Sequence, residues 1–314
     1  MRKIIYTALI FTVLMLVLPL CAVKRNSKPA LVQTNAYTDG VYIKAEKTES
    51  FRVLISDSKK IEVMSAQDYI FGVVAAEMPA LYESEALKAQ AVAAYSFACI
   101  RRAQNKNLEY DITTDPAVDQ SYINLDDAKL KWGESYDEYR EKILNAVKAV
   151  SGKTVKYKGE IALTLYHAIS SGKTENSLDI WGGEYEYLTS VDSVWDKLSP
   201  NYLSSQTFTF DELKAKLSDY NFAANNIKTD RTNVGTVKSL KVDSKEISGD
   251  KLRESLNLRS ANFSVKVDSA GVTFETVGYG HGVGMSQYGA DYMAKQGADY
   301  KEILKHYYKN VTVE

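Results

Sequence analysis

Glu77 is the residue whose type and position best fit acid–base chemistry. It is the only acid in the apolar stretch VVAAEM (residues 73–78), and Pro79 follows two positions later. Because proline disfavours α geometry in its predecessor and has no backbone N–H, we expect a helix to end here with Glu77 in its last turn. The helix dipole and the apolar neighbours both oppose ionisation there, which predicts a raised pKa. A carboxyl that stays protonated can act as a general acid, although a surface glutamate at a helix end would show the same pattern.

Two other segments carry polar groups that could reach the same site. YHAISSGKTENSLDIWGG (166–183) passes from an apolar strand into a polar loop, a common place for binding groups. GYGHGVGMSQYGA (278–290) has alternate glycines that permit positive φ, and it leads into a predicted helix whose first amides could face a ligand. The candidate substrate-binding residues of these segments are His167, Ser170, Ser171, Lys173, Thr174, His281, Ser286 and Gln287.

Each of these groups also has a structural interpretation. Residues 170–174 could form a solvated turn, and His281 could hold the glycine-rich loop together instead of contacting a substrate. Trp181 offers a face for a sugar ring, but a buried tryptophan fits the sequence equally well.

The sequence favours neither a metal, a nucleotide cofactor nor a nucleic acid. The histidines at 167, 281 and 306 are far apart, so a tetrahedral metal site lacks its usual ligands. The glycine-rich loop lacks the strand-to-helix unit with a later acid that dinucleotide binding requires. With 39 basic and 40 acidic residues the net charge is only −1, which argues against a polyphosphate partner. We predict no metal and no cofactor.

The elements that position these residues form a mixed set. Residues 84 to about 102 carry leucine and alanine at spacings of three and four, which predicts a helix capped by Ser84 that supports Glu77. A second helix is predicted at 136–150, and short helices at FTFDELKAKL and SGDKLRESL. Alternating runs such as VYIKAE, FRVLIS, TVKSLKVD and GVTFETVG predict strands. This order favours an α+β fold, with no boundary evident inside residues 41–314.

The amino terminus predicts a membrane anchor. Residues 4–23 form an apolar run long enough to cross a bilayer, with basic residues on both sides. No small-x-small cleavage site is apparent, and Leu20 is too bulky for lipidation at Cys21. We therefore expect an uncleaved signal-anchor at residues 1–23, a juxtamembrane linker at 24–40, and a single extracytoplasmic α+β domain at 41–314.

Four sequence blocks, in order along the chain, resemble the stage II sporulation protein D family, which shares its domain with amidase enhancers. They are VVAAEMPALYESEALKAQAV (73–92), SGKTENSLDIWGG (171–183), LRESLNLRS (252–260) and GYGHGVGMSQYGA (278–290). The resemblance implies a peptidoglycan lytic transglycosylase with Glu77 as its catalytic acid. Glu77 would protonate the bond between N-acetylmuramic acid (MurNAc) and N-acetylglucosamine (GlcNAc). It would then accept the proton of the muramyl 6-hydroxyl, leaving a 1,6-anhydro end.

The resemblance also implies the substrate and partners. The glycan would be one from which a cell-wall amidase has removed the peptide stems during engulfment of the forespore. That amidase and a multipass membrane protein would be partners. Two alternatives remain open: a non-catalytic enhancer that holds glycan and activates an amidase, and a passive membrane-tethered scaffold.

The chain departs from the family pattern at two points. Some members of the family that the chain resembles carry a zinc held by histidine and cysteines, whereas no cysteine follows Cys99 here. Many relatives carry AVAAR where this chain has AVAAYSF, so Tyr95 replaces an arginine. Tyr95 remains a candidate glycan contact, because a tyrosine can hydrogen-bond to a sugar or stack on it.

Overall fold

Helices and short strands follow one another in mixed order along the chain. The structure is a computed structural model that describes residues 44–224 and 226–314. In chain order, the helices are α1 (Ala66–Glu77), α2 (Ser84–Gln104), α3 (Leu125–Trp132), α4 (Tyr136–Ala149), α5 (Ser177–Trp181), α6 (Phe210–Lys216), α7 (Gly249–Leu256), α8 (Gln287–Lys295) and α9 (Tyr300–Tyr307). The strands are β1 (Ser50–Leu54), β2 (Ile61–Ser65), β3 (Ile112–Thr113), β4 (Val155–Tyr157), β5 (Glu160–Ile161), β6 (Tyr166–His167), β7 (Leu203–Phe208), β8 (Ile227–Arg231), β9 (Val237–Val242), β10 (Lys245–Ser248), β11 (Phe263–Asp268), β12 (Gly271–Val277), β13 (Met285–Ser286) and β14 (Val311–Val313). The predicted α+β class is confirmed.

Helix α1 begins and ends where local sequence signals place it. Ser65 caps its amino terminus by accepting a hydrogen bond from the Asp68 N–H. At the other end Met78 has extended geometry, with φ −118° and ψ 145°, as expected for a residue before proline. Glu77 is therefore the last helical residue, as predicted.

Helix α2 is the centre of the larger hydrophobic core. It packs against α1, α4, α8 and α9 through small, fully buried residues that let the helices approach closely. Its cap is Glu83 and not Ser84 as the sequence predicted. The reason is tertiary, because the Glu83 N–H donates to the buried carboxylate of Asp291, 2.7 Å away on α8.

Residues 203–277 form a second hydrophobic core. It contains the antiparallel sheets β11-β12-β7 and β10-β9-β8 with helices α6 and α7. Phe274 lies at its centre, with the rings of Phe208, Phe222 and Phe263 at centroid distances of 5.7–6.2 Å. We call these residues the second lobe, and residues 44–202 and 278–314 the first lobe. The sequence showed no boundary inside 41–314, whereas the structure has two separate hydrophobic cores in this range.

The remaining strand predictions differ in detail. The segment VYIKAE was predicted to be a strand, but its described residues 44–46 have no regular structure. No helix within residues 44–224 and 226–314 is both long and apolar enough to span a bilayer. The predicted anchor (1–23) and linker (24–40) lie outside the described residues.

Candidate active site in the cleft between the lobes

A cleft of about 500 Å³ opens where the two lobes meet. The first lobe contributes the end of α1, residues 121–123, Lys131, strand β6 and residues 279–281, and the second lobe contributes Arg253 from α7. Some of the residues that line this cleft were predicted from sequence and others were not. The predicted site residues that line the cleft are Glu77, His167, His281 and Gln287.

Glu77 lies partly buried in the wall of this cleft. Its Oε1 accepts a hydrogen bond of 2.8 Å from the Ser121 N–H. Burial raises the pKa of Glu77, while hydrogen bonds from Ser121 and Gln287 and the charge of Lys131 oppose that rise. The predicted direction of the pKa shift is confirmed, and burial is its main cause.

Lys131 and Tyr166 flank the acid, and sequence analysis identified neither. The Lys131 ammonium donates to the Ala75 carbonyl at 3.0 Å, in the last turn of α1. The Tyr166 hydroxyl accepts a 2.7 Å hydrogen bond from the Gln120 side chain, which leaves its proton free for another acceptor. Burial and the nearby Glu77 raise the pKa of Tyr166 well above its ordinary value, so it stays a neutral donor. Its position next to His167 in one sequence block was the available signal.

His167 and His281 lie together at the floor of the cleft, with ring centroids 5.8 Å apart. His167 Nδ1 is 3.1 Å from the Val283 carbonyl, so it donates, and His281 Nδ1 accepts from the Val283 N–H at 3.1 Å. Burial lowers the pKa of His167 to about 4. Burial, His167 and Arg253 together lower the pKa of His281 well below its ordinary range. Both rings are therefore neutral at physiological pH, and His281 holds its own loop while lining the cleft.

Gln287 connects the acid to the core behind it. Its side chain is 5% exposed, lines the cleft and lies near enough to Glu77 to lower the pKa of that carboxyl group. The amide Nε2 is also 3.5 Å from Gln90 Oε1 on α2, an amide-to-amide contact between two helices. Gln287 is thus placed to orient the carboxyl group.

The loop at residues 170–174 lies beside the cleft. Ser170, Ser171 and Lys173 line a small depression that adjoins the cleft at residues 280–281. Thr174 is fully buried, and its hydroxyl accepts from the Val191 N–H at 2.9 Å. Lys173 is exposed and pairs with Asp192 at 3.2 Å. The structure therefore does not bring these four residues to Glu77.

Two further predicted residues have structural partners. Ser286 is fully buried and caps α8 by accepting from the Gly289 N–H. Tyr95 is 6% exposed, and its hydroxyl bonds to both the N–H and the carbonyl of Thr48. It borders a different groove that shares no lining residue with the Glu77 cleft. Trp181 belongs to the core, at 7% exposure.

Asp196 is a buried acid that sequence analysis missed. It is fully buried and its Oδ2 accepts from the Ser170 N–H at 2.7 Å. Burial raises its pKa, and hydrogen bonds from Ser170, Ser286 and Ser193 oppose the rise. Asp196 thus holds the loop at residues 170–174, but it lies outside every block quoted above and carries no local signal.

The described residues contain no group of three or more histidine, cysteine, aspartate or glutamate side chains arranged to hold a metal ion. Cys99 is buried on α2, and burial raises the pKa of its thiol to about 11. The side chains that line the cleft can transfer protons and form hydrogen bonds.

Comparison with known proteins gives a consistent result. A family model described as stage II sporulation protein matches residues 55–157. The chain is 37% identical over 273 residues to stage II sporulation protein D of Bacillus amyloliquefaciens, covering 85% of this chain and 79% of that protein. It is 35% identical over 294 residues to the protein of the same name from Bacillus subtilis (strain 168), with 92% and 85% coverage. An amidase enhancer of the same Bacillus subtilis strain is 26% identical over 301 residues, or 77% of this chain and 40% of that protein. The chain belongs to the stage II sporulation protein D family.

Proposed function

We propose that this protein is a peptidoglycan lytic transglycosylase that cuts stem-free glycan during sporulation. The observation that supports this most is Glu77, a carboxyl of raised pKa in an open cleft. Among the described residues that line the cleft, Glu77 is the one carboxyl group. An ordinary glycoside hydrolase uses two carboxyl groups, whereas intramolecular attack by a substrate hydroxyl requires only one.

The reaction needs one proton that is donated and then recovered. Protonated Glu77 gives its proton to the glycosidic oxygen as the bond from the muramyl anomeric carbon breaks, and the N-acetylglucosamine end leaves as an alcohol. The muramyl 6-hydroxyl oxygen then bonds to the anomeric carbon, and its proton returns to the Glu77 carboxylate. No water enters, and the acid is regenerated.

The surrounding groups have roles that follow from their contacts. The Ser121 N–H fixes one carboxyl oxygen, and Lys131 stabilises the carboxylate after proton transfer. Neutral Tyr166, with its proton free, can donate to a glycan hydroxyl. His281 and His167 form an uncharged floor for the sugar rings.

Product analysis tests the proposal. The full-length protein in detergent is incubated with stem-free glycan strands, and the products are examined by mass spectrometry. We expect 1,6-anhydro-muramyl ends, lowered by at least about 100-fold in Glu77→Gln. Glu83→Gln, a matched change of an exposed glutamate, should leave turnover intact. Reducing ends with an added water would mean a hydrolase, and turnover that survives in Glu77→Gln would rule out this site.

The second candidate function is a glycan-binding activator of an amidase, favoured by the amidase enhancer among the similar proteins. Under that hypothesis no glycan ends form, and Glu77→Gln stimulates a purified amidase as well as the wild type does. Measuring amidase activity with both proteins separates the two functions.

From the sequence we also propose the cellular setting. Residues 1–23 would anchor the chain as a single span, with residues 41–314 facing the extracytoplasmic space between the membranes. A cell-wall amidase and a multipass membrane protein would be its partners, with the amidase supplying stem-free strands. Protease protection of the chain in intact cells tests the orientation, and co-purification from sporulating cells tests the partners.

A further inference from the structure

Arg253 is the least explained charged residue of the described structure. It lies on α7 in the second lobe, is 4% exposed, and lines the Glu77 cleft. Its Nε is buried and has no hydrogen-bond partner among the described residues. A buried cation without a hydrogen-bonded partner is costly, so its position calls for a ligand that is absent from the free protein.

No ion pair of four ångströms or less joins this guanidinium to an acid of the described residues. Asp250, Tyr279 and Glu254 attract it only through space. His167 and His281, whose pKa values its charge lowers, are neutral. Lys131 on the opposite wall donates to a backbone carbonyl instead. The second-lobe wall of the cleft therefore presents the positively charged guanidinium of Arg253, whose N–H groups are directional donors.

A free carboxylate is the group that a guanidinium recognises best, since two parallel N–H donors match its two oxygens. Stem-free glycan carries one such carboxylate on the lactyl ether of each muramic acid. When a peptide stem is attached, that carbon is part of an amide and has no charge. Stem-free and stem-bearing glycan therefore differ at the lactyl carboxylate, which is the group that Arg253 is suited to bind.

We propose that Arg253 forms the subsite for the free lactyl carboxylate and that it makes the cleft selective for glycan without stems. This inference rests on the proposed function. The free carboxylate would pair with the Arg253 guanidinium. A stem-bearing glycan would leave that guanidinium buried without a partner, and the site would therefore bind it more weakly.

Binding measurements test this without relying on turnover. The protein is the full-length Glu77→Gln variant in detergent, and the probes are a stem-free GlcNAc–MurNAc tetrasaccharide and the same molecule with its lactyl carboxyls converted to primary amides. By calorimetry we expect the amide form to bind about 10- to 100-fold more weakly. Equal affinity for the two probes would overturn the proposal, and this comparison requires no change at Arg253.

Variants then assign the selectivity to the residue. Arg253→Gln in the same background should bind both probes alike, and Arg253→Lys should recover part of the discrimination. Lys251→Gln removes an exposed positive charge from the same helix and should leave the discrimination unchanged. If Arg253→Gln still prefers the carboxylate, or weakens both probes equally, the subsite lies elsewhere. Absence of anhydro ends with the wild type would reject the proposed function, whereas the two-probe comparison would still decide on the carboxylate subsite.

Discussion

The two walls of the cleft respond in opposite ways to the free-energy cost of burying a charged group. On the first lobe Glu77 ends a helix that packs against the larger core, and burial raises its pKa. On the second lobe Arg253 lies on the short helix α7, beside the smaller phenylalanine core, and is also buried. A carboxyl can avoid the penalty by keeping its proton, but an arginine keeps its charge in proteins. The same burial therefore favours the neutral form of the acid on one wall and leaves a buried charge on the other.

The largest expected effect is the loss of stability when a core side chain of either lobe is truncated. Phe274→Ala should destabilise the second lobe by about 3–5 kcal/mol, and Leu87→Ala the first lobe by about 2–5 kcal/mol. Both side chains are fully buried. The three tryptophans, at 132, 181 and 195, all lie in the first lobe, so their fluorescence reports on that lobe alone.

Urea unfolding followed by two probes separates the lobes. In Phe274→Ala we expect far-UV circular dichroism to show an early transition that tryptophan fluorescence does not follow. In Leu87→Ala the fluorescence transition itself should move to lower urea. If both probes shift together in both variants, the lobes unfold as one cooperative unit, and the comparison between them loses its thermodynamic basis.

A smaller effect is expected where buried Asp196 holds the loop beside the cleft. Asp196→Ala leaves the Ser170 N–H without its acceptor and should cost about 1–3 kcal/mol of unfolding free energy. Asp192→Ala, which removes the exposed partner of Lys173, should cost less than about 1 kcal/mol. Chemical denaturation of both variants measures the difference. Equal losses would mean that Asp196 does not hold the loop.

The pH dependence of stability distinguishes the two walls directly. The folded-state pKa of Glu77 lies above its ordinary 4.5, so this group stabilises the fold at low pH and loses that contribution as pH rises through the folded pKa. Glu77→Gln should therefore be more stable than the wild type at about pH 7, and the difference should vanish at about pH 4. Arg253 does not itself titrate in this range and keeps its charge at both pH values. A pH-independent effect of Glu77→Gln would contradict the raised pKa.

The smallest expected effect concerns the charge next to the acid. Lys131 lowers the pKa of Glu77, so Lys131→Gln should raise it further. Because the protonated acid is the active form in the proposed reaction, the alkaline limb of the activity profile should move to higher pH, by less than about one unit given the exposure of Lys131. Lys129→Gln, an exposed change on the same helix, should leave the profile in place. A shift toward lower pH in Lys131→Gln would mean that the limb reports another group.

Sequence analysis succeeded where the signal was local. The proline after Glu77 and the apolar residues before it predicted both the helix end and the raised pKa. The helix at 136–150 is found at Tyr136–Ala149, and the two short predicted helices are found at Phe210–Lys216 and Gly249–Leu256. These features depend on residues within a few positions of one another, which a sequence displays directly.

The predictions that differed involve contacts between distant residues. Tyr95 faces Thr48 and not the cleft, since its direction depends on how α2 packs against the chain before β1. Arg253 was not identified as a site residue from sequence, and only the tertiary structure places it in the cleft. Asp196 gained its importance from Ser170, a partner separated from it by 26 residues.

The sequence by itself determined the candidate acid Glu77, the end of the helix that carries it and the mixed α+β class, because caps, proline geometry and periodicity act over a few residues. Tertiary structure alone decided that a second core is inserted after residue 202, that Glu77 and Arg253 share one cleft, and which loop residues are structural. The reason is that burial sets both the pKa of the acid and the cost of the cation. Burial belongs to the folded arrangement of segments more than 170 positions apart, not to any one of them.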